Sequence, residues 1–215
     1  MTMALQVVLS GLVARTHGLT SHGLPELEVS VKDASLLPDA QRFLSNMGEA
    51  LQQGTIHLHP GETVQCGYWI VKFDAKSPGL LSATEPNAEN TEFVPGADLA
   101  LSYRRDQKRV CREQGASFEP PNPLSLIACS DGLREGRSPI GGTRYRHSGK
   151  MSGWFLSTDL YDGTNNTVKL HHAYHVTAAR PELVNYLALP PGYRFDHGES
   201  PKIWFDATLE AEESW

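Results

Sequence analysis

Cysteine is scarce in this chain: three residues in 215, Cys66, Cys111 and Cys129, widely spaced and without a Cys-x-x-Cys pair. That number and spacing exclude a disulfide framework and a thiolate zinc site, and they suit a reducing compartment, so a cytoplasmic location is expected. Long apolar runs are also missing. No stretch reaches the roughly 20 residues needed to span a bilayer. The apolar start, Met1 to Arg15, has no basic region ahead of it and is interrupted by Gln6 and Ser10, so it does not read as a secretion signal. Glycine-rich phosphate loops, a Gly-x-Ser-x-Gly elbow and kinase signatures are absent, as are internal repeats and low-complexity tracts.

Positive charge is in deficit. The formal net charge is −6, with 10 basic against 14 acidic residues before Pro120 and 9 against 11 from there on. A field of that sign disfavours nucleic acid and favours basic proteins as partners. The cluster Arg104, Arg105, Lys108, Arg109 and Arg112 falls on one expected helix and reads as a solvated face. With 40% hydrophobic and 20% charged residues, the composition is that of a globular protein able to bury a sizeable core.

The patterning predicts an α+β protein of two small sheet-plus-helix domains with mostly antiparallel strands, 1–120 and 121–215, joined through the proline-rich Phe118 to Pro123. Alternation predicts a strand over Leu5 to Val13 and another over Leu27 to Val31. Ala40, Phe43, Leu44, Met47 and Leu51 form one helical stripe, with Pro38 in the first turn and Gly54 past the end. Thr63 to Phe73, apolar on both faces, predicts a central strand, and Leu80 to Thr84 a return strand after Ser77-Pro78-Gly79. Glu85 to Glu92 is polar and expected on the surface. Asp98 is placed to cap a second helix running to about Gln114, closed by Gly115. In the second half, strands are expected over Leu124 to Cys129, Thr143 to His147, Trp154 to Leu156 and Lys202 to Phe205. A short helix is bracketed by Pro181 and Pro190-Pro191.

Reactive constellations are thin. His171 and His175 would share a helix face at i, i+4 and could hold zinc, but no third ligand is identifiable, and His172 stands where a His-Glu-x-x-His motif needs glutamate. His57 and His59 alternate before Pro60, too few for a tight site. Cys129, beside Ser130 and Asp131, ends an apolar strand and reads as a small buried hydrophobe. Asp159 and Asp162 flank a turn before Gly163. No catalytic set, metal or cofactor is expected.

Several words recur toward the C-terminus: Ala128-Cys129-Ser130-Asp131-Gly132, Ser152-Gly153-Trp154 followed by Asp159, His175-Val176 with Arg180-Pro181-Glu182-Leu183, and Pro191-Gly192 with Phe195. In these, residues 124–206 resemble the bacterial immunity proteins numbered thirty-three in polymorphic toxin systems. The resemblance implies a cytoplasmic, non-enzymatic protein that binds and neutralises a cognate toxin, often one delivered by a type VI secretion apparatus. A nuclease toxin, with its basic groove, would suit an acidic inhibitor. The carboxylates expected to meet such a partner are Asp159, Asp162, Asp206, Glu210, Glu212 and Glu213. No nucleic acid or membrane is expected as a partner, and a homodimer is an open expectation. Two other classes are a metal-dependent hydrolase built on His171 and His175 and an oligomeric structural protein.

Overall fold

A computed structural model describes residues 4–211, the side chains of Asn165, Glu210 and Ala211 excepted. The protein is α+β and forms two compact units that divide between Arg105 and Asp106. The division falls inside a helix, ahead of the proline-rich segment.

In the first unit, strands β1 (Gln6–Ser10), β2 (Val13–His17), β3 (Glu26–Ser30), β4 (Glu62–Cys66), β5 (Trp69–Ser77), β6 (Leu80–Pro86) and β7 (Phe93–Pro95) make one sheet of order β1-β2-β3-β6-β5-β4, with β7 also on β6. Only β3 and β6 run parallel. Two expected single strands are hairpins. The run from Leu5 to Val13 turns at Gly11 and that from Thr63 to Phe73 at Gly67, both at positive φ where an L side chain would be strained. Helix α1 (Leu37–Gln52) begins with Pro38 near its N-terminus and packs Ala40, Phe43, Leu44 and Leu51 onto this sheet, Phe43 stacking on Phe73 at 6.3 Å.

Helix α2 (Asp98–Glu113) starts as expected, but its cap differs. The carboxylate of Glu85, expected on the surface, is 2% exposed and accepts from Leu99 N at 2.8 Å and Ala100 N at 2.7 Å, satisfying two orphan donors of the first turn. Asp98 instead accepts from Lys32 N and Asp33 N. Burial raises the Glu85 pKa to about 7 against the pull of those two N–H groups, with Asp98 adding to the rise. The folded state therefore holds this proton to higher pH than the unfolded chain. Its contribution to stability is complete below about pH 4.5 and is lost as pH rises through 7. Urea denaturation should show the wild type losing up to about 3 kcal/mol between pH 5 and pH 8 relative to Glu85→Gln. An unchanged difference between the two proteins over that window would contradict the assignment.

The second unit contains β8 (Leu126–Ser130), β9 (Ile140–Arg144), β10 (Met151–Ser157), β11 (Val168–His172), the short helix α3 (Ala173–Ala179), a 3-10 turn over Pro181–Tyr186, β12 (Tyr193–His197) and β13 (Lys202–Phe205). Its sheet has the order β11-β8-β10-β9-β12-β13, antiparallel except where β10 runs parallel to β8. One face is buried: Ile127, Cys129, Ile140, Trp154, Leu156 and Phe195 form a core with Val176, Leu183 and Leu187. The C-terminal half of α2 joins it, Gln107 Nε2 donating to Val184 O at 2.9 Å. Among the described residues, no helix is long and apolar enough to cross a membrane.

Candidate partner-binding site

Because β8 and β10 are parallel neighbours, both chains leave the sheet at the same end, and their loops are tied together there. Ser130 Oγ accepts from Thr158 N at 2.9 Å, and Thr158 Oγ1 donates to Asp131 O at 2.7 Å. The loop after β8 is then fixed from outside. Arg137 grips Asp159 in two parallel bonds of 2.7 and 2.9 Å, the bidentate geometry a guanidinium offers a carboxylate. Lys169 reaches Asp131 at 2.7 Å. Arg180, 8% exposed, donates to Leu133 O and Arg137 O and pairs with Glu182 at 2.6 Å. Three residues of the C-terminal words, Asp131, Asp159 and Arg180, thus share one structural task, holding two loops at one end of the sheet.

Beside these loops lies a concavity of about 450 Å³, lined by Gly141, Ser157, Thr158, Asp159, Asp196 and Glu199 among others. Gly141 forms its floor, where a Cβ would stand 3.1 Å from Ser157 Oγ and 3.7 Å from Asp196 Oδ1, so glycine lets those polar groups close over the strand. Asp159 is exposed, and the hydrogen bond from Arg137 holds its carboxyl below the usual range. Its charge is therefore partly compensated. Asp196 and Glu199 form no ion pair among the described residues, although Lys202 stands opposite Asp196 in the ladder.

Of the expected contact residues, the structure brings only Asp159 to this concavity. Asp162 lies farther along the same loop and accepts from the backbone and hydroxyl of Thr164, which lowers its pKa. Asp206 follows β13, accepts likewise from Thr208 and pairs with Arg194 at 3.0 Å, and is lowered by both. The Glu210 side chain, Glu212 and Glu213 lie outside the described residues. Sequence reasoning missed Asp196 and Glu199. The available signal was the alternation of Tyr193, Phe195 and His197 against Arg194 and Asp196, which marks Asp196 as outward-facing on a strand.

Adjoining the concavity is the sheet's other face, buried at Ala128, half-buried at its middle strands and exposed at both ends. Its register sets Leu170, Ala128, Phe155, Thr143, Arg194 and Trp204 in one row across all six strands. Leu170 is 54% and Trp204 39% exposed, and Tyr161 stands edge-on to Phe155 at 5.0 Å. Apolar and aromatic anchors next to unpaired acidic groups are the ingredients of a protein interface.

The tempting reactive groups are placed otherwise. His171 belongs to β11 and α3 begins only at Ala173, so the shared helix face expected for His171 and His175 does not exist. Both imidazoles are held below their usual pKa, first by burial and then by Arg134. Among the described residues no group of three or more His, Cys, Asp and Glu could hold a metal ion. All three cysteines are buried, and none is in a disulfide. Burial pushes the Cys129 thiol up to about 12 and that of Cys111 up to about 11, the reverse of what a nucleophile needs. Native protein should consequently react with a thiol reagent only at its opening rate, all three sites labelling together once urea is added. Rapid native labelling of Cys129 would contradict this.

Comparison with known proteins gives one match and two blanks. No curated protein and no solved structure matches the chain. Residues 106–206, nearly the whole second unit, match the model of the Imm33-like domain, an immunity-protein-like family.

Proposed function

We propose that the chain is an immunity protein that binds a cognate bacterial toxin in the cytoplasm and neutralises it by occupation of its surface, without turnover of its own. The observation that carries this reading is the coincidence of the Imm33-like match with the acidic concavity and open aromatic row of the same unit. Asp159, Arg180 and Asp131 of that unit are spent on fixing loops, through Arg137, Leu133 O and Lys169. A rigid, shaped end is what recognition requires, because little ordering entropy is then lost on binding.

The partner best suited to this surface is a basic toxin, and a nuclease groove lined with lysine and arginine is the leading class. Acidic groups facing such a groove speed encounter and cover the path its nucleic acid would take. A type VI effector of a polymorphic toxin system is the delivery context that the family relationship suggests.

The test is protection. Cells producing the toxin encoded beside this chain should regain growth when the chain is co-produced, and the two proteins should co-purify. Continued killing despite equal amounts of folded chain would overturn the proposal.

A further inference from the structure

Outside the second unit, one feature stands unexplained by toxin binding: the free edge of β1. Edge strands expose unpaired N–H and C=O groups, and proteins blunt them with charge, proline or bulges. Here β1 pairs only with β2, in an unbroken register, and reads Gln-Val-Val-Leu-Ser with no such guard. No charged residue occurs before Arg15. Val8, Leu9 and Leu12 are 46%, 42% and 43% exposed.

The turn at Gly11 and Leu12 sets which groups are free. A two-residue hairpin is closed by a hydrogen-bonded pair, here Ser10 with Val13, and bonding then alternates along the ladder. Gln6, Val8 and Ser10 therefore bond inward to β2, while the N–H and C=O groups of Val7 and Leu9 point to the open edge. Gln41 Nε2 reaches Val7 O at 3.5 Å from α1, a long bond at an exposed carbonyl that an incoming strand would replace.

We propose that a second copy of this chain adds its own β1 to this edge, antiparallel, about a two-fold axis through Val8. The strand is self-complementary under that operation. Val7 exchanges both backbone bonds with Leu9 of the second copy and Leu9 with its Val7, Gln6 meets Ser10, and Val8 meets Val8 on the axis. Apolar thus faces apolar and polar faces polar. In a chain of net charge −6, the other outer strands each carry a charge or a proline, Glu62 on β4, Pro95 on the three-residue β7, Lys169 on β11 and Lys202 on β13. Among the described strands, the β1 edge meets its copy with neither like charges nor a proline in the strand.

Sedimentation velocity of the full chain over a range of concentrations tests this. The wild type should be a reversible dimer. Val8→Lys puts two lysines directly opposite each other on the axis, their Cα atoms at the roughly 4.5 Å of a non-hydrogen-bonded pair, and should weaken association about 100-fold or more. Because Val8 is exposed, this variant should keep the wild-type circular dichroism. Val8→Cys should give a covalent dimer on mild oxidation, since that spacing suits a disulfide and the native thiols are buried. A monomeric wild type at every concentration would overturn the proposal. So would a dimer that Val8→Lys leaves intact and Val8→Cys fails to cross-link.

Discussion

Replacing Arg144 by leucine should lower the unfolding free energy by about 2–4 kcal/mol, because two backbone carbonyls lose their donor. Arg144 is 2% exposed and lies inside the second unit. Its Nη1 donates to the carbonyls of Glu119 at 2.6 Å, Leu187 at 3.1 Å and Leu189, and its guanidinium sits 5.8 Å from the Trp154 ring centroid. Trp154 Nε1 shares the Leu187 carbonyl at 3.0 Å. One cation thereby holds the segment before β8 and the segment after the 3-10 turn against the central tryptophan. Burial lowers its pKa to about 10, so the charged form persists at neutral pH, supported by Glu119. Leucine would remove the cost of that buried charge but leave the Glu119 and Leu189 carbonyls without this donor, each worth about 1–3 kcal/mol of desolvation, while Leu187 O keeps Trp154 Nε1. Lysine should recover less than half the loss, because a point charge cannot reach the three acceptors and the ring together. Urea denaturation measures both variants; a loss below about 1 kcal/mol for Arg144→Leu would show that the staple is dispensable.

The second large effect concerns recognition. Reversing Asp196 and Glu199 together to lysine should weaken toxin binding by about 100-fold or more, mainly through slower association, and should remove most of its salt dependence. Both residues are exposed, and neither holds a loop, so the urea midpoint should stay at the wild-type value. Asp159 is the less informative position. Its substitution would free Arg137 and disturb the loop as well as the charge. Equal on-rates for the wild type and the double variant would place the partner elsewhere on the molecule.

What the sequence disclosed depended on how local each signal was. Helices α1 and α2 were legible because their stripes are closed by Gly54 and Gly115, both of which adopt positive φ. The hairpins at Gly11 and Gly67 were not, because continuous apolar alternation on either side of one glycine reads equally well as one long strand. Glu85 looked like surface because its hydrogen-bond partners are separated from it in sequence, at Leu99 and Ala100. The same limit hid the candidate site. Asp196 and Glu199 acquire meaning only once β12 is paired with β9, which sets Asp196 against Gly141 and next to the β10 loop. The three aspartates singled out from the sequence all satisfy local groups, Arg137, Thr164 and Thr208, as acidic residues in turns commonly do.

Rigidity lies within and charge without: buried Arg144 and Arg180 tie backbone segments of the second unit, and Asp196 and Glu199 are exposed. The most direct measurement is calorimetric titration of the purified full chain against the effector encoded beside it, at low and physiological salt. The account predicts a complex of one chain per toxin with nanomolar affinity that weakens as salt rises. No binding heat with a folded, active toxin at either salt concentration would contradict it.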